Sequence, residues 1–219
     1  MNSYLFWGIV SSIFFLSAVP AIGHQLWLIY SRKQQRRRGE LKAEATQSIS
    51  LNQIFSSYCG VYSFFLFGVV LDPPDLFLTV PRCISALLLY AVVIEIHRER
   101  RDRASQWAFW GCTASALIPI FLVLAGIRTS IGSRVLSESF VLVATILMAQ
   151  GCLAQHRILK SNCHRGAVSL PMHAMLYAKD FSGLMFGFEL GAGSWSIIIM
   201  HASNLLMRLP ILYTYLRLK

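Results

Sequence analysis

Two charged residues stand side by side in the middle of a long apolar stretch. Lys179 and Asp180 lie between Tyr177 and Phe181, and an ionisable group at a bilayer centre costs on the order of 2.5–3.5 kcal/mol. Adjacent residues on a helix point about 100° apart, so we expect the two side chains not to face the same neighbour. Asp180 could accept hydrogen bonds from a substrate or carry a proton. A buried structural ion pair is the alternative interpretation.

A second set of polar residues is spaced for one face of the last apolar segment. His201, Asn204 and Arg208 recur at intervals of three and four residues, which places them in one stripe on a helix. Such a stripe is expected to line the interior of a bundle rather than to face lipid. Asn204 would bind substrate or make an interhelical hydrogen bond. Arg208 would line the cavity or extend to the cytoplasmic surface.

Two tyrosines, Tyr58 and Tyr62, are one helical turn apart in another apolar segment. Aromatic faces with a polar edge suit sugars and other small polar organic molecules, although packing is the alternative role for tyrosines in helices. The sequence contains no catalytic triad spacing, zinc signature or phosphate-binding loop. The five cysteines are scattered and form no CxxC pair. We therefore predict no enzyme activity, no metal site and no cofactor.

The composition predicts an integral membrane protein. The chain has 219 residues, of which 55% are hydrophobic and 14% charged, and its mean hydropathy is +0.55. Seven segments have the roughly 20 apolar residues that a helix needs to cross about 30 Å of hydrocarbon, and they are too long for barrel strands. We place these helices at 5–30, 48–71, 76–97, 107–127, 137–158, 169–190 and 194–216. The protein would therefore be a multi-pass protein of a plasma, inner or organelle membrane.

The net charge of +10 is concentrated in alternate loops. The loop after the first helix contains Arg36, Arg37 and Arg38, whereas the next loop contains Asp72 and Asp75. The positive-inside rule then predicts an outside N-terminus and a cytoplasmic C-terminus. This distribution favours contact of the basic loops with anionic lipid headgroups and argues against a nucleic-acid partner.

The segment 50–68 is repeated at 169–187 with a constant offset of 119 residues. The same offset pairs Arg82 with His201 and Ser85 with Asn204, so it extends through the third and last helices. Counting about 1.5 Å per residue from the helix ends brings four polar residues near the membrane midplane. They are Tyr58, Ser85, Asp180 and Asn204. Arg82 or Lys179 would compensate the charge of Asp180.

The repeat predicts an all-α membrane protein with seven transmembrane helices in a 3+1+3 arrangement of two parallel three-helix repeats. Residues 1–103 would form the first repeat with a basic cytoplasmic loop at 31–47, and 131–219 would form the second. Three helices reverse the side of the chain, so a linker helix within 104–130 must restore it. In repeat-built transporters the substrate binds near the midplane between the repeats.

Each predicted repeat begins with a helix that has a glutamine near its cytoplasmic end, Gln25 or Gln155. Together with the Ser-Leu pair that opens each second helix and the single linker helix, this resembles the SWEET and PQ-loop (MtN3-saliva-like) transporter family. His24 and Ala154 stand where the family motif has proline, and Pro20 lies one turn earlier. The resemblance implies that Pro20, Gln25 and Gln155 are flexing points or gate elements.

We therefore expect an alternating-access carrier, either a facilitator or proton-coupled, for a small polar solute such as a sugar or amino acid. One alternative is a sorting receptor of the same architecture, which would bind a peptide carboxylate through Arg82 and Arg208. Another is a non-transporting subunit or assembly factor whose lone charges meet partner helices. A homo-oligomer or a membrane-complex partner is compatible with each of these.

Overall fold

The computed structural model describes residues 3–70, 76–124, 133–162, 164–189 and 195–218, and within these ranges it contains eight helices and no strand. The all-α fold class is therefore confirmed for the described chain. Asp72, Asp75, Cys163 and the predicted helix ends at 71, 125–127, 190 and 194 lie outside the described residues. The helices are α1 (Ser3–Arg37), α2 (Leu51–Val70), α3 (Leu76–Arg100), α4 (Arg103–Ser115), α5 (Ile118–Leu124), α6 (Ser133–Asn162), α7 (Leu170–Glu189) and α8 (Trp195–Arg217).

Among the described residues, four stretches are long and apolar enough to cross a membrane, as judged by length and composition: Ser3–Arg37, Thr79–Arg100, Val141–Asn162 and Trp195–Arg217. Each stretch presents large apolar side chains on the outside of the bundle. The clearest are Ile13, Leu87, Ile146 and Leu206, whose exposed fractions are 60%, 61%, 70% and 63%. Polar side chains such as glutamine, serine, aspartate and arginine lie buried inside. This distribution indicates a membrane protein, because lipid solvates an apolar exterior.

The first helix is longer than the sequence predicted. Proline and glycine often break helices, but α1, which we placed at 5–30, is continuous from Ser3 to Arg37 through both Pro20 and Gly23. Proline within an apolar helix removes one backbone hydrogen bond, and membrane helices tolerate this loss. A Cβ atom added at Gly23 would meet no described atom within 4 Å, so close packing does not require glycine there. The helix therefore extends seven residues beyond its predicted end at residue 30.

The linker predicted as one helix at 107–127 is divided into α4 and α5. The chain turns between Ser115 and Ile118, just before Pro119. Proline has no N–H, so the Ser115 carbonyl cannot receive the hydrogen bond that would continue the helix through this point. That carbonyl accepts a hydrogen bond from the Tyr62 hydroxyl of α2 instead. The proline and the tyrosine together account for the break.

The start of α4 is fixed by Asp102, whose side chain accepts a hydrogen bond from the Ser105 amide at 2.9 Å. Hydrogen bonds from Ser105 hold the pKa of this exposed carboxyl below its usual value. The cap explains why the helix begins at Arg103, four residues earlier than predicted. Because α4 follows α3 after a very short connection, it folds back against α3.

The helices pack in a pattern that repeats along the chain. In the first half α1 packs on α3 and α3 on α2, and in the second half α6 packs on α8 and α8 on α7. The halves meet through two equivalent pairs, α1 with α7 and α2 with α6. The initial helix of each half thus contacts its own third helix and the second helix of the other half.

Candidate functional site

Three basic side chains converge on the carboxylate of Asp180. Its Oδ1 atom lies 3.0 Å from the Lys179 Nζ and 3.1 Å from the His201 Nδ1, and its Oδ2 accepts a hydrogen bond from the Arg208 Nε at 3.2 Å. Asp180 has no exposed surface, and Arg208 is 1% exposed. Charge-assisted hydrogen bonds of this kind are stronger than neutral ones. We call Lys179, Asp180, His201 and Arg208 the Asp180 cluster.

Lys179 is one of the two cations that the sequence offered to compensate Asp180, and the structure contains this contact. The 100° between adjacent helical positions describes the directions in which the side chains leave the backbone. The lysine side chain has four methylene groups, which let its ammonium reach the carboxylate of the next residue. The two side chains otherwise contact different helices, because Asp180 meets His201 and Arg208 of α8 whereas Lys179 lies over the Phe15 ring of α1. The ion-pair alternative describes the contact that the structure contains.

The stripe of polar residues on α8 faces α6 and α7. His201 and Arg208 hold the two oxygens of Asp180, and Asn204 between them is completely buried. Helices α7 and α8 can approach each other here because α7 has glycine at position 183. A Cβ atom on Gly183 would lie 2.5 Å from the His201 Nε2, closer than real contacts allow. Glycine at this position therefore allows His201 to reach Asp180.

Two polar atoms of α8 have no hydrogen-bond partner among the described residues: the Nη1 of Arg208 and the Oδ1 of Asn204. The Asn204 Nδ2 has only a weak contact, 3.9 Å from the Met148 sulfur on α6. A buried polar group without a partner costs about 1–3 kcal/mol. One free donor and one free acceptor thus lie four residues apart on α8, next to the Asp180 cluster.

Arg82 contacts the same aromatic ring as Lys179 of the Asp180 cluster, and the sequence patterns did not indicate that ring. Its guanidinium lies 4.2 Å from the centre of the Phe15 ring on α1 and 5.3 Å from that of Phe64. The Lys179 ammonium is 5.5 Å from the same Phe15 ring. Phe15 thus brings the two cations of α3 and α7 together through cation–π contacts. A phenylalanine in an apolar helix gives no sequence signal for such a role.

Tyr58, Tyr62 and Ser85 make their hydrogen bonds elsewhere. The Tyr58 hydroxyl is 2.6 Å from the Ser115 Oγ, and the Tyr62 hydroxyl donates to the Ser115 carbonyl. The two tyrosine rings are stacked with their centres 5.5 Å apart. The Ser85 hydroxyl donates to the Pro81 carbonyl of its own helix at 2.9 Å. Their assignment to a substrate site stays a prediction that these contacts do not support.

Gln25 connects α1 to the beginning of α7. Its side-chain amide donates to the Ala167 carbonyl at 2.5 Å, and its Oε1 accepts a hydrogen bond from the Ser169 amide at 2.8 Å. The residues are more than 140 positions apart in the chain. The glutamine therefore satisfies backbone groups at the N-terminus of a helix, where such groups have no partner within the helix.

Gln155 makes the same two contacts from α6 to the beginning of α2. Its side-chain amide donates to the Ser48 carbonyl at 2.9 Å, and its Oε1 accepts from the Ser50 amide at 2.7 Å. Ser48 and Ala167 are 119 residues apart, as are Ser50 and Ser169. Both glutamines are buried. Each half of the chain thus caps the second helix of the other half through one glutamine.

A direct hydrogen bond joins the two glutamine contacts. The Ala167 amide donates to the Ser48 hydroxyl at 2.7 Å, so Gln25, Ala167, Ser48 and Gln155 form one continuous chain of hydrogen bonds, which we call the glutamine latch. Gly166 has a positive φ of 55°, and a Cβ atom there would overlap the Ser48 side chain. Only glycine fits both conditions. The latch therefore depends on a specific turn before α7.

No family model, no curated protein and no solved structure matches this chain. The resemblance to the SWEET and PQ-loop family therefore stays a prediction based on the residues quoted above. In the described part of the chain, no group of three or more His, Cys, Asp and Glu side chains is placed to hold a metal ion.

Two carboxylates near the end of α3 bind part of the basic cluster that the sequence assigns to the cytoplasmic side. Glu95 lies 2.5 Å from the Lys33 ammonium and 3.0 Å from the Arg98 guanidinium. Glu99 lies 3.1 Å from the Arg36 guanidinium. Glu95 lies inside the helix predicted at 76–97, so a pattern of loop charges does not include it. The basic surface is therefore partly neutralised.

Glu99 also holds the segment that precedes α2, because its two oxygens accept hydrogen bonds from the Ala45 and Thr46 amides, both at 2.9 Å. Hydrogen bonds to a charged group contribute about 1.5–3 kcal/mol. We expect Glu99→Gln to speed hydrogen exchange at these two amides by about 10-fold or more. Hydrogen-exchange mass spectrometry of the detergent-solubilised protein would measure this change. Glu44→Gln, at an exposed position of the same segment, is the control, and unchanged exchange in the Glu99 variant would contradict the assignment.

Proposed function

We propose that the chain is a membrane carrier that moves a small polar solute by alternating access. Seven membrane-crossing helices would form two parallel three-helix repeats around a linker, with the N-terminus outside and the C-terminus cytoplasmic. The equivalent packing of α1 with α7 and of α6 with α2 supports this arrangement. The paired glutamine contacts support it independently, since they follow the same offset as the repeat.

The observation that carries the proposal is the buried Asp180 cluster next to two unpartnered polar atoms of α8. Asp180 is about 15 Å from the start of α7, and Arg208 is about 14 Å from the end of α8, at 1.5 Å per residue. Half of a bilayer core is about 15 Å. Both side chains would therefore lie near the midplane, where repeat-built transporters bind their substrates. Structural stability alone does not call for charges there, since a buried ion pair is often no better than apolar residues.

The glutamine latch would act as the cytoplasmic gate. It connects Gln25 of α1 and Gln155 of α6 to the starts of α7 and α2, on the side assigned to the cytoplasm. Moving one half against the other would require these hydrogen bonds to break. In the present arrangement the latch is closed, so the solute would enter from the opposite side. Pro20 lies on the exposed side of α1, one turn before Gln25, where it could act as the flexing point.

Transport can be tested with the purified protein in liposomes by counterflow of labelled sugars, amino acids and carboxylates. We expect saturable exchange of at least one solute, and we expect Asn204→Ala to reduce it more than 10-fold because the free acceptor is lost. Ser203→Ala, at the preceding and less buried position of α8, should retain transport. Folded protein that exchanges none of these solutes would contradict the proposed function.

A sorting receptor that binds a peptide carboxylate is the second candidate, and the unpartnered Nη1 of Arg208 is the observation in its favour. A carrier moves its ligand across the membrane, whereas a receptor only binds it. Saturable binding of a peptide with a free C-terminal carboxylate, together with no flux of any small solute, would favour the receptor.

A further inference from the structure

We infer that the solute is a small 2-hydroxycarboxylate, which accepts hydrogen bonds from Arg208 through its carboxylate and donates one to Asn204 through its hydroxyl. This inference rests on the proposed function and names its substrate class. It follows from two separate features of the site, namely the sign of the buried charge and the two unpartnered polar atoms.

The buried charge is positive. In the described part of the chain, Lys179 and Arg208 share a single carboxylate, that of Asp180, at 3.0 and 3.2 Å. Both cations are less than 10% exposed, and His201 adds further positive charge whenever it is protonated. Uncompensated charge is expensive in a dry environment. A bound anion would offset part of this positive charge, to which Arg82 on α3 adds, whereas a neutral sugar or a zwitterionic amino acid would leave it in place.

The hydrogen-bonding groups specify more than an anion. Arg208 uses its Nε for Asp180 and has a free donor at Nη1, whereas Asn204 has a free acceptor at Oδ1. Residues four apart on a helix have Cβ atoms about 5–6 Å apart, so one small ligand can reach both. The ligand must accept at one end and donate at the adjacent carbon. A carboxylate with a hydroxyl on its neighbouring carbon meets both requirements.

The surroundings fit a small apolar substituent on this ligand. Met148 lies beside Asn204, with its sulfur 3.9 Å from the amide nitrogen, and the Phe15 ring is 5.5 Å from the Lys179 ammonium. Methionine adapts its shape to irregular neighbours. A carboxylate without the hydroxyl would leave the Asn204 Oδ1 unpartnered, and sites that hydrogen-bond a hydroxyl reject analogues that lack it.

The test compares lactate with propionate, glucose and alanine. Equilibrium dialysis of the purified protein in detergent measures binding, and counterflow in liposomes measures transport. We expect lactate to bind saturably and to be transported, and we expect propionate to bind at least 10-fold more weakly. Asn204→Ala should abolish the preference for lactate over propionate while propionate still binds. Arg208→Gln should weaken both carboxylates by about 10-fold or more.

The outcomes separate the ligand class from the proposed function. Transport of glucose or alanine without binding of lactate would overturn the inference and leave the carrier in place. Binding of lactate with the expected preference, but without flux of any solute, would support the ligand assignment and overturn transport. Folded protein that neither binds nor moves lactate, or an unchanged preference in Asn204→Ala, would also overturn the inference.

Discussion

Replacing Asp180 with valine is expected to lower the free energy of unfolding by about 3–5 kcal/mol, the cost of removing one partner from a buried ion pair. The substitution leaves Lys179 and Arg208 buried without their shared counter-charge. Valine is the appropriate choice because Val61 occupies the equivalent position of the first copy. Chemical unfolding in detergent, followed by tryptophan fluorescence, would measure the change.

A second substitution should reverse part of this loss. Leu89 is the counterpart of Arg208 in the first copy and is 1% exposed, so the same helical frame accommodates leucine there. We expect Asp180→Val with Arg208→Leu to be more stable than Asp180→Val alone, since apolar residues of similar volume often replace buried charges without loss. Adding Lys179→Met should extend the recovery.

The control for this series is Glu40→Gln, which removes an exposed carboxylate and should change stability by less than about 0.5 kcal/mol. If Asp180→Val resembles the control, the carboxylate does not compensate the cluster. If the double variant is less stable than the single one, Arg208 contributes through contacts other than the ion pair.

The sequence was informative about the position of the buried charges along the helices. The repeat offset aligned Asp180 with Val61, and the spacing of His201 and Arg208 placed them on one face of α8. The structure brings these residues together within hydrogen-bonding distance. The sequence offered both Lys179 and Arg82 as the compensating charge, and in the structure Lys179 contacts Asp180 directly together with His201 and Arg208.

Counting residues along a helix predicts the depth of a side chain in the membrane, but it does not predict the direction in which that side chain points around the helix axis. Tyr58 and Asp180 were assigned to the same depth, but the hydroxyls of Tyr58 and Tyr62 bond to the turn after α4. That turn exists because Pro119 frees the Ser115 carbonyl. The carbonyl that the proline leaves without a helical partner is thus bound by a tyrosine of another helix. Local sequence patterns do not predict such long-range pairing.

The sequence also indicated the two glutamines of the latch but not the residues that they contact. Gln25 and Gln155 were selected as gate residues through the resemblance, but their partners lie 105 to 144 residues away. The exchange of caps between the halves follows from the packing of α1 on α7 and of α6 on α2. It gives the two glutamines one shared role, which leads to a quantitative expectation.

Gln25→Ala and Gln155→Ala are each expected to lower the free energy of unfolding by about 2–6 kcal/mol. Each substitution leaves one buried carbonyl and one buried amide without a partner, at about 1–3 kcal/mol for each group. The two variants should be similar in effect, because the two glutamines make equivalent contacts. Gln35→Ala on α1 and Gln150→Ala on α6 are matched controls at exposed positions.

The double variant, Gln25→Ala with Gln155→Ala, tests whether the two glutamine contacts of the latch stabilise each other. Ala167 and Ser48 each bond to one glutamine and to each other, so loss of one contact should loosen the other. Contacting residues in one network commonly show interaction energies of about 0.5–3 kcal/mol, whereas independent sites add within about 0.5 kcal/mol. We therefore expect the double variant to lose less stability than the sum of the single losses. Strict additivity would mean that the halves are capped separately, and a gate that opens as one step would then need another structural basis.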